Sequence, residues 1–93
     1  MKLTEGIKVC ISVESLYNRE KDLLYGHIEY TEANEPENGD DNYFDLYNED
    51  GELACMDGEE VIVTQIDEDL ITFRHDYVDF RLSYEEAEIA IYE

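Results

Sequence analysis

Two histidines, two cysteines and 26 Asp and Glu residues are the side chains of this chain that could take part in acid–base, nucleophilic or metal chemistry. Histidine is the commonest general base, but His27 falls on the outward register of a strand-like run. His75 ends another such run, between Arg74 and Asp76. Both positions are typical of surface or turn residues. Because the sequence has no Ser-His-Asp or Cys-His order and no glycine-rich phosphate loop, we do not expect an enzyme.

The carboxylates do not follow the spacing of a calcium-binding loop. An EF-hand loop needs oxygen ligands at its first, third and fifth positions, glycine at the sixth and glutamate at the twelfth. If Gly51 is the sixth residue, Leu46 stands at the first ligand position, and if Gly39 is the sixth, Pro36 stands at the third. We therefore expect no cofactor and no dedicated metal site, only the weak, nonspecific binding of Ca²⁺ or Mg²⁺ that any such surface shows.

The cysteines and the absence of long apolar runs indicate the cellular setting. Cys10 and Cys55 lie far apart and belong to no C-x-x-C pair or zinc pattern. Each is flanked by apolar residues, which favours buried free thiols. The first residues lack the apolar run of a secretion signal, and no segment approaches the roughly 20 apolar residues of a membrane span. These features predict a cytoplasmic protein.

The charge balance is the most unusual property of the chain. Against 26 Asp and Glu stand 6 Lys and Arg, which gives a formal net charge of −20. Solubility of a small domain needs a net charge of only about 2–8 in magnitude, and the excess repels itself within the fold. A positively charged partner, divalent cations or a high-salt cytoplasm could each compensate for it. Nucleic acid and anionic membranes are excluded as direct ligands, because binding phosphates needs clustered Lys and Arg.

Alternating apolar residues and turn signals predict the elements that must position these charges. Ser83 and Glu86 form a Ser-x-x-Glu capping box, which favours a helix over a closing strand for the last segment. Asp50-Gly51 indicates a hairpin turn. The predicted strands are residues 6–13, 23–31, 43–47, 52–56, 61–66, 70–75 and 77–82, with a short helix or a loop at 14–22 and a loop at 32–42. We predict a single α+β domain, residues 1–93, mainly antiparallel β, as a strongly bent sheet or small barrel with a short C-terminal helix.

An acidic loop and the strand after it are the predicted contact surface. Tyr43 and Tyr47 share an outward register and flank Asp45, and exposed tyrosine supplies rigid contact area at protein interfaces. Tyrosines that merely cover a small core are the alternative for each of them. The predicted partner-binding residues are Glu37, Asp40, Asp41, Tyr43, Asp45, Tyr47, Glu49 and Asp50.

In size, charge, tyrosine content and lack of catalytic residues the chain resembles small acidic inhibitors of phages and conjugative elements, among them DNA mimics, anti-restriction proteins and anti-CRISPR proteins. Residues 79–91 are also similar to the ends of small proteins from mobile elements of Gram-positive bacteria. The resemblance implies occupation of a nucleic-acid groove on a host defence nuclease in the bacterial cytoplasm, with Cas9 as the first candidate and its guide-RNA or DNA channel as the blocked surface. The alternatives are an acidic interaction module without mimicry and a cation-dependent or halophilic protein.

Overall fold

The computed structural model describes residues 3–19, 22–31 and 43–91, and these form two four-stranded antiparallel sheets and two short helices. The elements in chain order are β1 (Lys8–Cys10), α1 (Val13–Arg19), β2 (Asp22–Leu23), β3 (Gly26–Thr31), β4 (Tyr43–Asn48), β5 (Leu53–Met56), β6 (Glu60–Ile66), β7 (Leu70–His75), β8 (Val78–Ser83) and α2 (Tyr84–Ala90).

The first sheet has the strand order β1-β6-β7-β8 and supplies the aromatic centre of the core. Phe73 and Phe80 are direct cross-strand partners, and their rings stack with centroids 5.2 Å apart. Val63, opposite Phe73 on the other side, is also fully buried. Buried and exposed residues alternate along all three long strands, so one face of this sheet is buried, as the period-two pattern of the sequence predicts.

The second sheet has the order β2-β3-β4-β5 and turns a row of three apolar residues toward the core. Ile28, Leu46 and Cys55 are cross-strand neighbours and all three are buried. Gly26 allows β3 to approach β4, since a Cβ at this position would lie 2.2 Å from the carbonyl oxygen of Tyr47. Residues at alternate positions therefore form the opposite, outward side of the sheet.

Both helices begin at a serine whose hydroxyl accepts a backbone hydrogen bond. Ser12 accepts from the amide of Ser15 at the start of α1, so residues 14–19 of the segment that the sequence left open between helix and loop are helical. Ser83 accepts from the amide of Glu86 while the Glu86 carboxylate accepts from the Ser83 amide, which confirms the predicted capping box and C-terminal helix. The second Glu86 oxygen accepts from the amide of Leu24.

The prediction of one strongly bent sheet or small barrel is wrong, because the strands divide between two sheets. The division occurs at the turn after β5, where the Gly58 amide donates to the Ile11 carbonyl and the Ile11 amide donates to Glu59. These bonds place β6 beside β1 instead of beside β5, and the described strands do not close into a barrel. The fold class itself, α+β with mainly antiparallel strands, is confirmed.

Two predicted strands are shorter than expected. The first is confined to Lys8–Cys10, because the chain turns into α1 at Val13. The strand predicted over residues 23–31 is interrupted by a tight turn at Leu24 and Tyr25, which leaves the Leu24 side chain 72% exposed. Within the ranges 3–19, 22–31 and 43–91, neither helix is long and apolar enough to cross a membrane.

Candidate protein-binding face

The outward side of the second sheet carries acidic, aromatic and apolar side chains together, and we call it the outer face. The cross-strand register assigns to it one set of residues, which is His27, Glu29 and Thr31 of β3, Tyr43, Asp45 and Tyr47 of β4, and Leu53 and Met56 of β5. The three predicted contact residues of β4 thus lie on one side of the sheet, in the outward register that the sequence indicates.

Asp45 lies at the centre of the outer face in an unfavourable electrostatic position. Its direct cross-strand partner is Glu29, so two carboxylates face each other where opposite charges would stabilise the sheet. Its Oδ1 atom is buried, and within the described part of the chain it has no hydrogen-bond partner. Burial, and then the charges of Glu29 and Glu59, raise the pKa of Asp45 above its ordinary value. An ionised Asp45 is therefore unfavourable at this position in the free protein.

Tyr47 is held in place beside this carboxylate pair. Its ring stacks on the imidazole of His27 with centroids 4.9 Å apart and planes 7° from parallel. Its hydroxyl donates to the Glu29 carboxylate, and this hydrogen bond is the main reason that the pKa of Tyr47 is raised. Tyr43, opposite Thr31, is half exposed. Aromatic rings thus stand on β4 on either side of Asp45.

Strand β5 adds apolar side chains to the outer face. Met56 is the cross-strand partner of Asp45, and Leu53 is the partner of Tyr47. The two side chains are 40% and 47% exposed, although each is large and apolar. Exposed apolar residues that adjoin aromatic rings are characteristic of surfaces that bind another protein.

The remaining predicted contact residues do not join the outer face. Glu49 and Asp50 lie in the β4–β5 turn, where Glu49 is 3.6 Å from the guanidinium of Arg81 on β8. The buried Asn48 organises this turn, since its side-chain oxygen accepts from the amides of Asp50 and Glu52. Three further predicted residues, Glu37, Asp40 and Asp41, lie outside the described residues.

Five outer-face residues are absent from the predicted contact set, namely His27, Glu29, Thr31, Leu53 and Met56. Period-two alternation in β3 could have placed Glu29 outward beside His27. Its position opposite Asp45 could not have been found, because residues 32–42 separate the two strands and their length does not set a register. Leu53 and Met56 flank the buried Ala54 and Cys55, so β5 does not show simple alternation.

Other groups that could do chemistry have structural contacts. His75 contacts the Ala54 carbonyl oxygen through Nδ1 at 2.9 Å and the Glu59 carboxylate through Nε2 at 3.0 Å. Burial raises the pKa of the Cys55 thiol to about 12, which makes it unreactive. Cys10 is only half-buried. In the described ranges, no group of three or more His, Cys, Asp or Glu side chains is arranged to hold a metal ion.

No protein-family description, curated protein or solved structure matches this chain.

Proposed function

We propose that the protein is a non-enzymatic, acidic binding protein whose outer face binds the positively charged nucleic-acid-binding surface of a host defence nuclease. Bound there, it blocks guide RNA or DNA. The observation that supports this proposal is the carboxylate pair of Glu29 and Asp45, in which one buried oxygen has no hydrogen-bond partner among the described residues. Side chains directly opposite each other in a sheet are about 5 Å apart at Cβ, so one partner guanidinium can reach both carboxylates.

The aromatic residues favour arginine over a simple cation as the group that is bound. A guanidinium is planar, donates two parallel hydrogen bonds to carboxylates and stacks on aromatic rings, whereas a lysine ammonium is a compact and strongly hydrated charge. Tyr43 and Tyr47 stand on either side of Asp45 and present ring surface to such a group. Arginine is also abundant in surfaces that bind phosphate backbones. A Cas9-type nuclease is the first target to test.

A second function is favoured by the apolar residues of β5. Phosphate backbones are polar and charged, so mimicry of nucleic acid alone does not require Leu53 or Met56 to be exposed. An acidic protein–protein interaction module without mimicry would use them as apolar contacts. A competition experiment distinguishes the two functions, because only a mimic is displaced from its partner by the nucleic acid that the partner binds.

Cleavage of a plasmid by guided Cas9 tests the proposal, with the protein added either before or after guide loading. Inhibition only when the protein is added first places it on the guide-RNA channel. Inhibition in both orders indicates the DNA-binding site or a nuclease domain. Absence of inhibition in both orders eliminates this nuclease as the target, and a pull-down from lysate at graded salt then has to find the partner.

Two double variants that remove equal charge show which surface is responsible. The outer-face variant carries Glu29→Gln and Asp45→Asn. The turn variant carries Glu68→Gln and Asp69→Asn, at two exposed acids of the β6–β7 turn. We expect the outer-face variant to lose inhibition and the turn variant to retain it. Equal loss in both would show that net charge, and not this face, causes inhibition.

A further inference from the structure

The turn between β7 and β8 has an unusual backbone for its sequence. His75 and Val78 are the closing pair of the hairpin, so Asp76 and Tyr77 alone form the turn. Both have positive φ, 48° and 68°, as a type I′ turn requires. Asp-Gly and Asn-Gly are the preferred pairs for this turn, because a residue with a Cβ is strained in the left-handed region.

Tyr77 does not compensate for this strain by packing. Its side chain is 97% exposed, the largest exposure among the large hydrophobic and aromatic residues in the described ranges. Glycine at this position would relieve the backbone and lose almost no buried surface. A strained backbone that carries a large exposed ring indicates that the ring serves a contact outside the free protein.

Contacts of His75 hold the β7–β8 turn against the rest of the fold. The His75 ring contacts the Ala54 carbonyl oxygen at the edge of β5 and the Glu59 carboxylate, so the hairpin is joined to β5 and to the turn that follows it. Leu53, Met56, Glu59, His75 and Asp76 line one shallow depression at this junction. A ring presented on a supported turn loses little conformational freedom when it binds.

We propose that the β7–β8 turn is a second contact for the basic protein partner and that Tyr77 is its anchor residue. The inference rests on the proposed function, from which the positive charge of the partner is taken. Its occupant is a protein segment in which arginine adjoins an apolar residue. The apolar side chain enters the depression over Leu53 and Met56, the guanidinium lies against Asp76 and Glu59, and Tyr77 covers it.

The side chains that line the depression explain both chemical components of this occupant, its apolar residue and its arginine. Leu53 and Met56 supply exposed apolar surface, and the carboxylates of Glu59 and Asp76 supply negative charge at its rim. Met56 is also the cross-strand partner of Asp45, so the depression is continuous with the outer face. One extended basic segment can therefore contact both.

The experiments test two properties of Tyr77 together, namely the backbone strain at its positive φ and the contact of its ring with the partner. Tyr77→Gly creates the preferred Asp-Gly turn, and we expect the unfolding equilibrium constant in urea to fall roughly fivefold. Tyr77→Ala removes the ring but keeps a Cβ at a positive φ, so it tests binding without relieving the backbone. Leu24→Ala is the matched control, since Leu24 is 72% exposed on the β2–β3 turn.

Binding is measured with a synthetic peptide of alternating arginine and leucine, and a peptide of alternating lysine and glycine with equal charge serves as reference. The protein is labelled with ¹³C at its methionine methyl groups, because the chain has two methionines, Met1 and Met56. We expect the arginine–leucine peptide to shift the Met56 signal and to bind about tenfold more weakly to Tyr77→Ala and Tyr77→Gly. Leu24→Ala should bind as the wild type does.

Three results with the isolated protein would overturn the inference. The first is that the arginine–leucine peptide does not bind, or binds equally well without the Tyr77 ring. The second is that the Met56 signal does not shift on addition of this peptide. The third is that Tyr77→Gly is no more stable than the wild type. Failure of the proposed function is a different result. Peptide binding that depends on Tyr77, without inhibition of the nuclease, would retain the anchor and reject the target. Inhibition that is unaffected by Tyr77→Ala would reject the anchor alone.

Discussion

Substitution of Asp45 by asparagine should stabilise the free protein while it weakens binding. The native carboxylate faces Glu29 and has a buried oxygen without a hydrogen-bond partner in the described part of the chain. Asparagine removes the repulsion and can donate its amide to Glu29. Like charges directly opposite in a sheet destabilise it by several tenths of a kcal/mol, and a new hydrogen bond to a charged group adds to this, so we expect about 1 kcal/mol of stabilisation.

The stability that Asp45→Asn gains over the wild type should decrease as the pH falls. Burial, Glu29 and Glu59 raise the pKa of Asp45 above its ordinary value of 3.8 in the folded state, so the native protein takes up this proton at a higher pH than the unfolded chain does. The destabilisation by ionised Asp45 is thus complete at neutral pH. It decreases as the pH falls through the native pKa, and it is absent below the unfolded value. The advantage of asparagine should decrease over the same window.

Urea denaturation at pH 7 and at several lower pH values measures this advantage. Asp69→Asn, in the exposed β6–β7 turn, controls for the loss of one negative charge from a highly acidic protein. This prediction is refuted if Asp45→Asn is less stable than the wild type at pH 7. It is also refuted if both variants gain the same stability, because the effect would then come from net charge.

Three further predictions concern groups with defined contacts. Glu86→Ala should destabilise the fold by about 3 kcal/mol in urea denaturation, because two backbone amides lose their buried acceptor. Asn48→Ala should cost about 2 kcal/mol in the same assay, since its buried side chain forms four hydrogen bonds, three with Asp50 and Glu52 and one with the Asp79 carbonyl oxygen on β8. Cys55, whose pKa is raised to about 12 by burial, should react with iodoacetamide only on unfolding, and Cys10 should react first in native protein.

The Glu86 prediction has a control in the same helix, and the other two predictions have results that would contradict them. Glu85 is exposed in the first turn of the same helix, so Glu85→Ala should change the stability by less than about 0.5 kcal/mol. If it matches Glu86→Ala, the loss arises from charge near the helix start and not from the buried hydrogen bonds. For Asn48, a cost below that of an ordinary surface change would contradict the turn-organising role. Labelling of Cys55 at the rate of Cys10 would contradict its burial.

Local signals in the sequence were sufficient for most of the individual elements. The Asp50-Gly51 turn, the alternation around Phe80 and the capping box of Ser83 and Glu86 each lie within a few residues. The structure has a hairpin turn, a half-buried strand and a helix at these places. Propensity and hydrogen bonding act over the same short range, which is why such signals can be read without the fold.

The arrangement of the elements depends on contacts that are distant in sequence. The pairing of β1 with β6 and the bonds between Gly58 and Ile11 join segments about 50 residues apart, and nothing local encodes them. The same holds for the functional surface. Tyr43, Asp45 and Tyr47 could be placed together by alternation within one strand, but Glu29 came opposite Asp45 only through the register across residues 32–42.

Competition between this protein and labelled guide RNA for guide-free Cas9 tests whether the outer face occupies a nucleic-acid-binding surface. Fluorescence anisotropy of labelled RNA is followed while wild-type protein, the outer-face variant or the turn variant is added. We expect the wild type and the turn variant to displace the RNA, the outer-face variant to need at least about tenfold more protein, and the displacement to weaken as salt rises. Equal displacement by all three proteins would contradict the proposal, and so would guide RNA and target DNA that both stay bound.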